Sequence, residues 1–443
     1  MAPPPASPAA PAPHPLLTAG MAAHQEGRAG EARAAYEQLL AEEPDHPDAH
    51  HLLGLLEVAE GHADEALALI RRAVALRPAE PMFHNNLGNL LQWLGRLDEA
   101  ERHYIQALEL DPTRIDVLNN AALLQARRGD LDAATETLSR IVLVAPGYTD
   151  ARHNLVGLHL RAGRLHEAIQ ECSEGLITSP RHPGLRRMLG MAYSTLGQTE
   201  QAIEVYRHWL ADEPGNAQAR HHLAGLTGED VPEQAAADYV RQTFKTFAAS
   251  FDAKLAQLGY RAPQFVADLV GRRRGGAGRM LRMADAGCGT GLCAPLLAPM
   301  ACRLVGVDLS ETMLEQARQR GGYDELVESD LVAFLQARPR AFDVVVSADT
   351  LCYFGRLDRA AAAARASLVD GGLLVFTVES HPDEPGAPDY RLHHHGRYSH
   401  RLGYLQAVLE AAGFAGIDAE PVVLRQEGAQ PVAGWLVGAE VAT

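Results

Sequence analysis

The feature that most constrains this fold is a period of 34 residues, kept without a gap through the first half of the chain. Stepping by that period from Gly20 meets Gly54, Gly88, Ala122, Val156 and Gly190, and from Gly27 it meets Gly61, Gly95, Gly129, Gly163 and Gly197. Ala32, Ala66, Ala100, Ala134, Ala168 and Ala202 keep the same register, and Pro44, Pro78, Pro112, Pro146, Pro180 and Pro214 close the units. A fixed period of this length belongs to stacked supersecondary units. The small residues let two helices cross closely, glycine serves the turn between them, and proline stops the second helix. Tyr36, Ile70, Tyr104, Leu138, Cys172 and Tyr206 are the bulky partners on the second helices. A further helix from Asn216 to Leu226, with Ala224 in phase, is expected to cap the stack.

This pattern resembles the tetratricopeptide repeat (TPR), with six copies and a cap over residues 16–227. The resemblance implies an α-solenoid with a concave groove for a protein or peptide. On the first helices Asn86, Asn120 and Asn154 recur at the repeat step. An amide carries both a donor and an acceptor, so such a row can pair with the main chain of an extended peptide. It looks like the asparagine ladder of O-linked N-acetylglucosamine transferases. Leu52, Met188 and His222 interrupt it at the other equivalent positions, and Asn85, Asn119, His153, Arg187 and His221 stand one place earlier. The alternative is that these asparagines bridge neighbouring helices.

After a linker at 228–233 the second half changes character, and Met280 to Ser310 organises it. Met280 to Ala284 reads as a strand, Asp285-Ala286-Gly287-Cys288-Gly289-Thr290-Gly291 as a glycine turn, then a helix and a second strand ending on Asp308. Glycines at alternate positions let the main chain approach a ligand, and an acid at the next strand tip can take ribose hydroxyls. A dinucleotide fingerprint would need glycine at Leu292. The pattern resembles class I S-adenosylmethionine (SAM)-dependent methyltransferases. That resemblance covers 234–443 and implies a Rossmann-like, seven-stranded α/β domain. It assigns Asp285, Gly287, Cys288, Gly289, Gly291, Asp308, Leu309, Met313, Asp330, Leu331, Ala348 and Asp349 to the cofactor SAM. Further strands are expected at Leu326 to Glu328, Ala341 to Ser347 and Leu373 to Val378, with Val422 to Leu424 and Trp435 to Val437 as a closing antiparallel pair.

By the same resemblance, the segment before the first strand, with Tyr239, Phe244, Phe247, Phe251 and Tyr260, forms a lid over the cofactor. Core packing is the alternative for these aromatics. The insertion from Glu379 to Arg401 offers Glu379, His381, Tyr398 and His400 as catalytic candidates, the first two as bases, with a solvated loop as the alternative for most of its residues. Tyr353 and Arg397 are candidates for acceptor binding. Three adjacent histidines, His393 to His395, match no metal-ligand spacing, so no metal is expected.

A net charge of −16 argues against nucleic acid as the main partner. Five cysteines without paired spacing suit free thiols in a cytoplasmic protein. The first fifteen residues, rich in Pro and Ala, read as a disordered tail and not as a signal peptide. No apolar run approaches the roughly eighteen residues of a membrane span. The resulting expectation is a SAM-dependent methyltransferase whose array brings a protein or peptide acceptor. One alternative is a methyltransferase for a small-molecule or carrier-bound acceptor, the array serving assembly; another is a non-catalytic TPR scaffold.

Overall fold

The computed structural model describes residues 14–245, 251–275, 278, 280–384, 386–427 and 430–442. The tail reading therefore falls outside the described residues as far as residue 13, and so does the lid candidate Phe247. Pro15 already opens the first helix, where its missing N–H costs nothing, and His14 Nδ1 accepts the Leu16 amide at 3.3 Å. The chain divides into two compact units between Met188 and Leu189.

The first unit holds the helix hairpins α1 (Pro15–Gln25) with α2 (Ala29–Glu42), α3 (Pro47–Glu60) with α4 (Ala63–Leu76), α5 (Pro81–Trp93) with α6 (Leu97–Leu110), α7 (Ile115–Arg128) with α8 (Leu131–Val144) and α9 (Thr149–Arg161) with α10 (Leu165–Thr178). Helix α11 (Pro183–Thr195) spans the division. The small-against-large spacing has a direct cause. A Cβ at Gly20, Gly54 or Gly88 would stand 2.5–2.6 Å from Tyr36, Ile70 or Tyr104, each fully buried. The turn glycines Gly27, Gly61, Gly95, Gly129 and Gly163 all have φ between 71° and 92°, which disfavours a side chain there.

The second unit opens with α12 (Thr199–Asp212) and α13 (Ala217–Thr227), capped by the Asn216 side chain. Helices α14 (Ala237–Lys245), α15 (Phe251–Gln257) and α16 (Ala262–Arg274) lead into a sheet. Its strands β1 (Leu281–Ala286), β2 (Ala301–Asp308), β3 (Glu325–Glu328), β4 (Phe342–Ser347) and β5 (Leu368–Ser380) are parallel in the order β3-β2-β1-β4-β5. Strand β9 (Gln430–Val441) adds antiparallel to β5, with β8 (Phe414–Glu427) beyond it. These make the expected seven. The sheet has nine, because the insertion after β5 forms its own hairpin, β6 (Tyr390–Leu392) with β7 (Tyr398–His400), and β7 pairs with Glu379 and Ser380.

Helices α16 and α17 (Ala294–Leu297) cover one face, where Val266, Val270, Leu297, Val344 and Val375 are buried. Helices α19 (Leu331–Gln336), α20 (Asp358–Ser367) and α21 (Leu402–Ala411) cover the other around Phe334, Phe376 and Leu405. α18 (Glu311–Arg320) follows β2. Burial on both faces accounts for the apolar run of β4.

The hairpin is not a solvated loop. Its turn packs on α13, where His221 Nε2 lies 2.9 Å from the Gly396 oxygen and His222 Nδ1 3.1 Å from the His394 oxygen. Leu392 and Tyr398 share a small core with Ala224.

Candidate functional site

Strand order reverses between β1 and β4, and a cavity of about 260 Å³ opens there beyond the strand ends. One end is made mostly of main chain. Gly287, Gly289 and Gly291 have φ of 84°, 53° and 83°, so the turn disfavours any side chain. A Cβ on Gly287 would stand 2.1 Å from Thr350 Oγ1, which donates to the Gly287 oxygen at 3.1 Å. The amides of Gly287 and Cys288 both donate to the Val307 oxygen, tying the turn to β2.

Asp308, at the tip of β2, lines the cavity and accepts from Gly289 N and Ser310 N, both at 2.9 Å. Burial raises its pKa, and those amides oppose the rise. Ser310 stands at the N-cap of α18 but makes no side-chain cap bond; its hydroxyl meets Thr312 instead. Asp330 lines the cavity at the tip of β3 and caps α19 through Ala333 N at 3.0 Å.

Of the residues assigned to the cofactor, Gly287, Cys288, Gly289, Asp308, Leu309, Met313, Asp330, Leu331, Ala348 and Asp349 line this cavity. Asp285 and Gly291 do not. The Asp285 side chain is fully buried beneath the turn, where it accepts from the Tyr323 hydroxyl at 2.6 Å. Gly291 backs onto Ala317 of α18, 3.3 Å from where its Cβ would stand. Among the lid aromatics Phe244, Phe251 and Tyr260 line the cavity, whereas Tyr239 packs on His221. Helix α15 is tied to the turn by Asp252, which accepts from Thr290 Oγ1 at 2.5 Å and pairs with Arg320.

The other end is made of charged side chains. Arg425 on β8 donates to Asp349 at 2.7 Å, to Glu379, and through Nε to Glu427 at 2.7 Å. Arg397 donates to Glu379 at 2.5 Å and through Nη2 to both Glu427 oxygens at 2.8 Å. Arg397, Arg425, Glu427, Asp349 and Tyr353 all line the cavity. Burial works against the Glu427 carboxylate, yet Arg397 and Arg425 overcome it and hold its pKa at about 2. Asp349 keeps φ at 56°, an unusual conformation for a non-glycine residue, with its amide donating to Thr377 Oγ1 at 2.9 Å.

The candidate catalytic residues stand away from the cavity wall. None of Glu379, His381, Tyr398 and His400 lines the cavity. Glu379 is held in the arginine network. His381 uses both ring nitrogens, on Ser399 Oγ and the Pro388 oxygen, each at 2.9 Å. Tyr398 donates to the Pro232 oxygen at 2.7 Å, and His400 Nε2 lies 3.1 Å from the Gly355 oxygen. Polar residues that follow a strand end looked available in sequence; the hairpin turns them inward. Arg425 and Glu427 were missed, because nothing near them on β8 distinguishes them from other sheet residues.

In the array, the Asn120 amide donates to Asn85 and the Asn154 amide to Asn119, both at 3.0 Å, while Asn86 Nδ2 lies 2.9 Å from His51 Nε2. Each ladder residue thus bridges to the preceding repeat, as in the alternative reading.

A doubly wound sheet with a glycine turn of positive φ and an acid at the next strand tip is an arrangement that α/β folds use at nucleotide sites. Residues 284–376 match the family model for a methyltransferase domain, and residues 23–90, 81–114, 119–185 and 159–226 match models of the tetratricopeptide repeat. The chain is 35% identical over 143 residues to malonyl-[acyl-carrier protein] O-methyltransferase of Geobacter sulfurreducens, covering 31% of this chain and 52% of that protein. It is 39% identical over 84 residues to methyltransferase-like protein 27 of Homo sapiens, covering 19% and 34%. With trans-aconitate 2-methyltransferase of Paracidovorax citrulli it shares 31% identity over 103 residues, covering 23% and 40%. The chain spans about half the length of the first of these relatives and less of the others. The chain thus carries TPR repeats in its first half and a methyltransferase domain over residues 284–376.

Proposed function

We propose that this chain uses SAM to methylate a small or carrier-borne acceptor group at the charged end of the cavity, while its TPR array engages a protein partner. The observation that carries the reading is that the glycine turn and Asp308 form one wall of the same cavity as Tyr353, Arg397 and Arg425. The residues present fit SAM. The turn leaves its backbone clear of Cβ atoms, and Asp308, with two amides bound, retains acceptor capacity for ribose hydroxyls. Asp330 and Leu331 line the same cavity and are the residues we assign to the base. When bound, SAM supplies an activated methyl group, so the protein's tasks are to align the acceptor and exclude water. Phe244, Phe251, Leu255 and Tyr260 supply the apolar cover.

Two relatives are named for a carrier-borne group and for a small molecule, which supports an acceptor of that size. The peptide-acceptor reading rested on the asparagine ladder, and its amides already bond between repeats. No helix among the described residues is long and apolar enough to cross a membrane.

The test is calorimetric titration with SAM and S-adenosylhomocysteine. Binding by the wild type is expected, weakened by Asp308→Ala about 100-fold or more, since two hydrogen bonds to a carboxylate contribute about 1.5–3 kcal/mol each. Absence of binding by the wild type would leave the non-catalytic scaffold.

A further inference from the structure

We propose that the acceptor is a carboxylate, and that it enters by displacing Glu427 from Arg397 and Arg425; the inference rests on the methyltransferase reading above. Two guanidiniums lining a small cavity are a recognition device for a planar anion. Here an internal anion already occupies it. The Glu427 carboxylate takes two bonds from Arg397 and one from Arg425.

Of the three carboxylates in the network, Glu427 is the one that can leave. Asp349 and Glu379 have side chains 14% and 6% exposed, while Glu427, at the end of β8, is 36% exposed. Exchanging it for an acceptor carboxylate conserves both the charge of the cluster and its bonds to arginine. An amine entering instead would be set against both guanidiniums, and a neutral amide or alcohol would cost them one carboxylate, leaving Arg397 to Glu379 and Arg425 to Asp349 and Glu379.

The rest of the wall points the same way: Asp308 and Asp330 accept backbone amides at the end assigned to the cofactor, and the acids at the other end are tied to arginine. No histidine is among the lining residues. Burial pushes up the pKa values of Cys288, Cys293 and Cys352, and those of Tyr260 and Tyr353. Asp349 and Glu427 are tied to arginine. An acceptor that arrives ionised needs no base. An acceptor oxygen forms the new O–CH3 bond as the S–CH3 bond breaks, sulfur keeps the bonding pair, and no proton moves. The product ester is uncharged and loses its hold on both guanidiniums. Glu427 can then reclose the site and expel it.

The experiment titrates malonate, with malonamide and ethylenediamine as controls, into protein saturated with S-adenosylhomocysteine. The wild type is expected to bind malonate alone. Glu427→Gln, which removes the internal competitor, is expected to bind malonate about tenfold more tightly. Arg397→Met is expected to lose malonate binding, and Arg397→Lys, which keeps charge without the fork, to weaken it. Retained S-adenosylhomocysteine binding in each variant reports an intact fold. Equal or weaker malonate binding in Glu427→Gln, or a preference of the wild type for either control, overturns the inference. If the wild type binds S-adenosylhomocysteine but not malonate, this inference fails and the methyltransferase reading stands. If it binds neither, both fail.

Discussion

The two ends of the cavity solve recognition by different means. At the end proposed for the cofactor the lining groups lie mostly within one continuous stretch, from Gly287 to Leu331, and backbone freed of Cβ atoms makes up much of the wall. At the end proposed for the acceptor, Asp349, Arg397, Arg425 and Glu427 line the cavity and Glu379 backs them, five side chains from the loop after β4, β5, the hairpin and β8. A backbone site tolerates changes in neighbouring side chains but not an added Cβ. A side-chain network assembled across strands can be retuned by one substitution, yet each member, once buried, depends on the others.

The largest expected effect comes from breaking the second kind of site. Arg425 is 3% exposed and serves three carboxylates, so Arg425→Met leaves Asp349 without its arginine and Glu379 and Glu427 to Arg397 alone. Removing one partner of a buried ion pair typically costs about 3–5 kcal/mol, to be measured by urea unfolding. If the two ends are independent, affinity for S-adenosylhomocysteine stays within about twofold. A parallel collapse of that affinity would merge the two ends into one cooperative unit. Next in size is Gly287→Ala at the cofactor end. A φ of 84° costs an L-residue about 1–2 kcal/mol, and the crowding of Thr350 adds about 1–3 kcal/mol. Thr350→Gly in the same chain, which removes the Oγ1, Cγ2 and Cβ atoms that crowd the site, should recover the crowding but not the strain, with Thr350→Gly alone as the reference for its own cost in unfolding.

The difference between the ends also governs what sequence reveals. The glycine turn, Asp308 and Asp330 were legible because local spacing encodes them, and the 34-residue period was legible because each Gly–Tyr crossing repeats the same steric demand. Periodicity did not tell which atoms the asparagines would meet. Asn120 and Asn85 face each other only once the repeats stack. The hairpin was hidden for a similar reason. Its histidines and tyrosines look solvated until α13 covers them, and α13 lies more than 160 residues earlier in the chain. Arg425 and Asp349 are 76 positions apart, and no local signal joins them.

The smallest expected effect has opposite signs at the two ends. Burial pushes Asp285, beneath the glycine turn, from its usual pKa of 3.8 up to about 6, with the Tyr323 hydroxyl opposing and the Asp308 charge adding to the rise. A raised folded-state pKa means that this contribution to stability is complete below pH 3.8 and is lost as pH rises through 6. His395, beside Glu379 in the acceptor network, is held near 3 instead of 6.5, by burial first and then by the Arg397 charge. A lowered histidine pKa means stability that is complete above pH 6.5 and lost as pH falls through 3. Between pH 6 and pH 4, acid therefore strengthens one end and weakens the other. Urea unfolding at intervals across that range checks the claim. Asp285→Asn should gain on the wild type as pH rises, and His395→Gln should gain as pH falls. Slopes of the same sign would mean that the two environments differ less than their burial and neighbouring charges imply, since a buried acid short of donors and a buried base beside a cation respond to pH in opposite directions.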